Sequence, residues 1–102
     1  MVCRVDDLAD GECRRVEATP PVAVYRVDGS FYATADTCTH EEWSLGEDGE
    51  LEGHEVVCCL HMARFDVRTG AATALPATVA LETFPVRVEG GEVWIAMGGD
   101  GR

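Results

Sequence analysis

Two short Cys/His pairs constrain this chain more than anything else in it: Cys38-Thr39-His40, then seventeen residues, then Cys58-Cys59-Leu60-His61. Each pair is compact enough for one tight loop to aim both side chains at one point. Together the loops offer two thiols and two imidazoles, the donor set of a metal site. The order of the donors narrows the metal. A Cys2His2 zinc finger takes both cysteines from one loop and both histidines from a helix. Here each loop carries one of each, an order suited to a centre with two chemically different ends, one iron taking thiolates and the other imidazoles.

C-x-H, a loop of this length and C-x2-H is the ligand pattern of Rieske [2Fe-2S] proteins, and the chain resembles that family at every ligand position. The likeness extends beyond the ligands. The stretch from Arg64 to Gly70, Ala74-Leu75-Pro76-Ala77, and the segment from Phe84 to Ile95 are similar to the soluble ferredoxin components of bacterial aromatic ring-hydroxylating dioxygenases. The resemblance implies that Cys38 and Cys58 hold one iron of a single cluster and His40 and His61 the other. Two ferric ions, two sulfides and two thiolates sum to zero charge, so reduction adds one negative charge. Neutral imidazoles on one iron make that electron easier to accept than in an all-thiolate cluster. By the same resemblance the histidines sit at the tip of the cluster lobe, where electrons enter and leave.

The remaining composition excludes several classes. At 102 residues the chain is read as one domain, small enough for a bound cluster to contribute to its stability. Acidic residues outnumber basic ones 19 to 8, for a net charge of −11, and no lysine is present, so nucleic acid is not an expected partner. No run of about twenty apolar residues exists, and the first residues lack the pattern of a signal peptide, so a cytoplasmic monomer without a membrane anchor is expected. That sets it apart from the membrane-tethered respiratory Rieske proteins. The disulfide that links the two cluster loops in that branch falls at Trp43 and Leu60 here and cannot form. Its serine and tyrosine beside the second ligand pair correspond to Ala63 and Phe65. Cys3, Cys13 and Cys59 are read as small buried or half-buried thiols.

Hydrophobic alternation predicts a β protein. Strands are expected near 3–5, 12–18, 22–27 and 30–35, the last two joined at Asp28-Gly29, a dipeptide that tolerates the positive φ of a two-residue hairpin. Leu45 to Gly53, rich in glycine and acid, reads as an exposed connection. Strands follow at 55–58 and 64–67, then a turn at Thr69-Gly70. A final hairpin places Phe84, Val86 and Val88 on one face, bends at Gly90-Gly91 and returns through Val93, Ile95 and Met97. No stretch has convincing helical periodicity. The expected architecture is an all-β antiparallel sandwich or barrel of the Rieske type, with a base of about 1–36 and 71–98 and a cluster-binding lobe inserted at about 37–70. Trp94, Phe31, Phe65 and Phe84 are expected in the core, with Trp43 as the exception inside the first loop. His54 is read as a surface residue.

With His40 and His61 spent on the cluster, only His54 remains, so the facial triad of an oxygenase iron cannot be built. No G-x-G-x-x-G follows a strand, so the chain does not bind a nicotinamide by that fold. A separate reductase is required. The reading is a one-electron carrier, not an enzyme, between a flavin-containing NAD(P)H-dependent ferredoxin reductase and the terminal oxygenase. The alternatives are a Rieske subunit of another redox complex, such as the small subunit of a nitrite reductase, and a zinc-binding structural module. Seven acids between the ligand pairs (Glu41, Glu42, Glu47, Asp48, Glu50, Glu52 and Glu55) are either a solvated loop or a means of steering toward basic partner surfaces.

Overall fold

Three antiparallel sheets carry the chain in the computed structural model, which describes residues 2–18, 20–37, 44–58, 63–74 and 80–96. The first sheet joins β1 (Cys3–Arg4), β10 (Val86–Glu89) and β11 (Glu92–Ile95) in the order β1-β11-β10. The second joins β2 (Cys13–Val16), β3 (Val22–Val27), β4 (Ser30–Ala35) and β9 (Thr83–Phe84) in the order β2-β3-β4-β9. The third is a meander of β5 (Glu50–Glu52), β6 (Glu55–Val57), β7 (Arg64–Asp66) and β8 (Ala72–Ala74). Two single turns of helix interrupt them, a 3-10 turn at Val5–Asp7 and α1 at Leu45–Asp48. The expected all-β class holds.

β3 organises the packing. Its alternation looks like one buried and one outer face, yet both faces are covered. Val22 and Val24 pack with Leu8, Ala33 and Phe84 on one side, while Ala23, Tyr25 and Val27 pack on the other with Leu45, Val56, Cys58, Ala63, Phe65, Val67 and Leu81. The polar tip of Tyr25 is accommodated by Thr34, whose Oγ lies 2.9 Å away and itself donates to the Ala35 carbonyl. A strand buried on both faces is nearly continuous in apolar residues, as Val-Ala-Val-Tyr is here. The hairpin from β3 to β4 turns as its sequence requires, with Asp28 at φ 51° and Gly29 at φ 80°.

Three expectations change. Leu45 to Gly53 is no open connection: it supplies α1 and β5, and Leu45 and Gly46 are buried. The turn forms because Ser44 caps it, its Oγ accepting the Glu47 N–H at 3.1 Å. The run through Phe84 and Val88 is also broken, since Pro85 lacks an N–H and lets the chain leave β9 in the second sheet for β10 in the first. Trp94 is 37% exposed, with the Arg87 guanidinium 5.4 Å from its ring centroid, so it lies outside the core that Phe65 and Phe84 occupy. The third sheet runs on to β8, past residue 70. Trp43 and Met97 lie outside the described residues.

Candidate metal centre

The described residues show how the two Cys/His segments are held at their bases. The first segment leaves β4 through Asp36 and Thr37 and returns at Ser44. Thr37 and Ser44 pair in an isolated antiparallel bridge, which closes the mouth of the loop 38–43. Below it Asp36 is almost wholly buried, at 1% exposure. Its carbonyl accepts the Leu45 N–H at 2.8 Å, and its Oδ1 accepts the Gly46 N–H at 2.8 Å. α1 is then pressed on β2, where a side chain on Gly46 would collide with the backbone of Arg15. Cys13 adds to the joint, its thiol lying 3.4 Å from the Gly49 carbonyl and 3.6 Å from that of Leu45.

The second segment begins at Cys58, directly after β6, and returns at Ala63 just before β7. The Cys58 N–H donates to the Ala63 carbonyl at 2.7 Å, which closes the mouth of the loop 59–62. This mouth is apolar: Cys58, Ala63, Val56 and Phe65 are all fully buried. Leu45, one residue past the first mouth, belongs to the same cluster of side chains. One apolar core therefore reaches the second mouth itself and the residue next to the first.

Of the four expected ligands, Cys58 is the described one, a buried thiol with no disulfide partner among the described residues. Cys38, His40 and His61 lie outside the described residues. A wholly buried free thiol at a loop mouth, one core residue from the base of the other loop, fits a soft thiolate ligand that a metal keeps deprotonated. His54 lies in the turn between β5 and β6, its ring edge-on to Tyr32 at 5.9 Å. Cys3 is buried, and burial pushes its thiol pKa up, while Cys13 is half-buried, as small packed thiols should be. Cys59 lies outside the described residues. The sequence reading missed Asp36 and Ser44. Their signal is local, since Asp36-Thr37 and Ser44 flank the first pair and Ser44 precedes an acidic first turn.

The acids of this region are partly neutralised from within. Arg64 on β7 reaches Glu52 at 2.8 Å and Glu55 at 3.1 Å, and its hydrogen bonds, first to Glu52 and then to Glu55, raise its pKa further. Glu47, Asp48 and Glu50 are exposed on α1 and β5.

The Rieske [2Fe-2S] domain model matches residues 1–85. The chain belongs to the Rieske [2Fe-2S] family. The ferredoxin component of the p-cumate 2,3-dioxygenase system of Pseudomonas putida is 48% identical over 99 residues, 95% of this chain and 84% of that one. The biphenyl 2,3-dioxygenase ferredoxin component of Rhodococcus jostii (strain RHA1) is 50% identical, over 96% of this chain and 92% of its own. Among solved structures, a chain from the complex of reduced oxygenase and oxidised ferredoxin in carbazole 1,9a-dioxygenase superposes with a TM-score of 0.89 at 46% identity, covering 93% of this chain and 89% of that one. This Rieske protein is thus a ferredoxin of the aromatic-ring dioxygenase type, an electron carrier rather than a catalyst, and its cofactor is the [2Fe-2S] cluster. Among the described residues no helix is long and apolar enough to cross a membrane.

Proposed function

We propose that Cys38, His40, Cys58 and His61 are the four ligands, and that the chain takes single electrons from a flavin-containing, NAD(P)H-dependent ferredoxin reductase and delivers them to a terminal aromatic ring-hydroxylating oxygenase. The observation that supports the reading is the pair of closures, Thr37 to Ser44 and Cys58 to Ala63, which flank the two Cys/His segments of the sequence, with Leu45 beside the first and Cys58 at the second in one core. When bound, the cluster supplies reversible one-electron chemistry. The chain's own part is to deliver four donors to one place and to keep the Cys58 side out of water. In domain terms we read residues 1–36 and 71–98 as the base and 37–70 as the cluster lobe, in a cytoplasmic monomer.

The oxygenase as partner is supported by the relative whose structure is a complex of oxygenase and ferredoxin. The reductase follows from the missing nicotinamide motif. Net charge of −11, with Glu47, Asp48 and Glu50 exposed beyond the first mouth, favours electrostatic steering toward basic partner surfaces. Stopped-flow reduction by a dioxygenase-type ferredoxin reductase at low protein concentration tests this: the rate is expected to fall as salt rises. A flat rate from low to moderate ionic strength would leave the acids as a solvated surface. A reduced protein with a rhombic EPR signal and two irons per chain supports a cluster on these ligands. A colourless protein with stoichiometric zinc would rule for a zinc module instead.

A further inference from the structure

We propose that Asp36 is the positioning residue for the first Cys/His pair: its buried carboxylate, set between Arg15 on β2 and the start of α1, holds the mouth of loop 38–43 against the core from which the second mouth opens. The proposal rests on the ligand assignment above. Asp36 makes four attachments to three parts of the molecule. Its N–H donates to the Pro21 carbonyl at 3.0 Å, its carbonyl and Oδ1 take the Leu45 and Gly46 N–H groups, and its Oδ2 lies 3.9 Å from Arg15 Nε.

A buried carboxylate is costly unless its charge is met, so its presence at this place needs a reason. The Thr37–Ser44 bridge is a backbone pairing and needs no acid beneath it. What the carboxylate adds is a fixed relation between the bridge and α1. It takes an N–H from the first turn, where the backbone dipoles favour a negative charge. Arg15 supplies the countercharge without a directed bond: its Nε lies 3.0 Å from Glu17 Oε2 as well as 3.9 Å from Asp36 Oδ2, and neither contact has hydrogen-bond geometry. Arg15 also lies 4.0 Å from Glu47 of α1, so one guanidinium faces three carboxylates at the seam of β2, α1 and the first mouth. Fixing α1 fixes Leu45, which shares its core with Cys58 and Ala63. Asp36 thereby sets the first mouth relative to the second.

The test reads three properties: the rate at which cluster absorbance bleaches under a chelator, the line widths of the reduced EPR signal, and amide hydrogen exchange. Asp36→Ala is expected to bleach about tenfold faster, because a charge-assisted hydrogen bond at the base of the loop is lost. It should also broaden the EPR lines and speed exchange at Gly46, while the β3 and β4 amides stay protected. Asp36→Asn keeps an oxygen for the Gly46 N–H and should restore the line widths, with bleaching within about threefold of the unmodified protein. Unchanged bleaching and line widths in Asp36→Ala overturn the proposal, as does equal loss of protection at Gly46 and in β3, which would make Asp36 a support of the whole fold. If the alanine chain does not fold, the asparagine chain decides: native line widths support the proposal, and broadened lines with the acceptor intact overturn it. Failure of the ligand assignment looks different, since the unmodified protein would then lack the rhombic signal.

Discussion

The mouth of the first loop is polar and the mouth of the second is apolar. Thr37 and Ser44 meet over the buried carboxylate of Asp36, with a capped helical turn and an arginine alongside. Cys58 and Ala63 are joined by one backbone hydrogen bond within a cluster of fully buried apolar residues. The difference follows from where each loop departs. The second leaves and re-enters adjacent strands of one sheet, so ladder pairing and strand packing already fix its ends. The first leaves the end of a hairpin strand and re-enters at a helix, two elements joined by a single isolated bridge, and the Asp36 carboxylate adds a side-chain hydrogen bond to register them. Burial is forgiving in direction and hydrogen bonds are not, so the polar mouth is specified by geometry and the apolar one by volume.

The largest expected effect cuts across both mouths. Alanine at any one of Cys38, His40, Cys58 or His61 should abolish the intact cluster, because on the proposed assignment one iron would lose one of its two protein ligands; His54→Ala should leave it. Iron content and EPR of the purified variants check this. A normal Rieske spectrum in His61→Ala, with iron lost from His54→Ala, would overturn the assignment.

Next, the apolar mouth should be more sensitive to lost volume than the polar one is to a lost cap. Phe65→Ala removes a fully buried ring facing Val56 and should destabilise the fold by about 3–5 kcal/mol. Ser44→Ala removes only the acceptor for the Glu47 N–H and should cost about 1 kcal/mol. Denaturant titrations of the two variants side by side measure the ratio, and equal losses would mean that the two mouths are not built differently.

The apolar surroundings of the second mouth also bear on potential. Ala63 and Phe65 carry no side-chain donor, where the resemblance places a serine and a tyrosine in the high-potential branch. The potential should lie near the bottom of the Rieske range, about −150 mV. Ala63→Ser and Phe65→Tyr introduce hydroxyls at that mouth. A hydrogen bond to a group gaining charge is worth about 1.5 kcal/mol, or about 60 mV for one electron. Voltammetry should show the rise, and a positive potential in the unmodified protein would defeat the argument.

The smallest effect lies away from both mouths, in the turn after β7. Arg68 hydrogen-bonds Asp66 at 2.9 Å and holds its carboxyl below the ordinary range. A carboxyl depressed in the folded state contributes stability that is present above its unfolded pKa and lost as pH falls through its folded one. Arg68→Ala should therefore weaken the protein at neutral pH and flatten its loss on acidification. Arg68 is half exposed and solvent screens the pair, so the change in acid-unfolding curves should be the smallest of these effects.

Much of this molecule is legible along the chain because the signals are local. Ligand spacing, the Asp28-Gly29 and Gly90-Gly91 bends and the β alternation each involve residues within a few positions of one another, and both bends fall where the chain predicts them. The segment 45–53 misleads because glycine and acid are the composition of a surface loop. Here Gly46 is present for close approach to the Arg15 backbone, a contact between residues thirty-one positions apart. Phe84 likewise reads as sharing one hairpin face with Val86 and Val88, and only the placement of two separate sheets makes Pro85 between them a crossing point.

By itself, then, the order of cysteines and histidines determined the family and the cofactor class, because metal chemistry depends on donor type and spacing over a few residues. The tertiary structure alone decided that β3 is covered on both faces, that Trp94 is left outside, and that a buried aspartate braces the first mouth. Those outcomes depend on which distant surfaces meet, and the free energy of burial and of a buried hydrogen bond exists only once they have met.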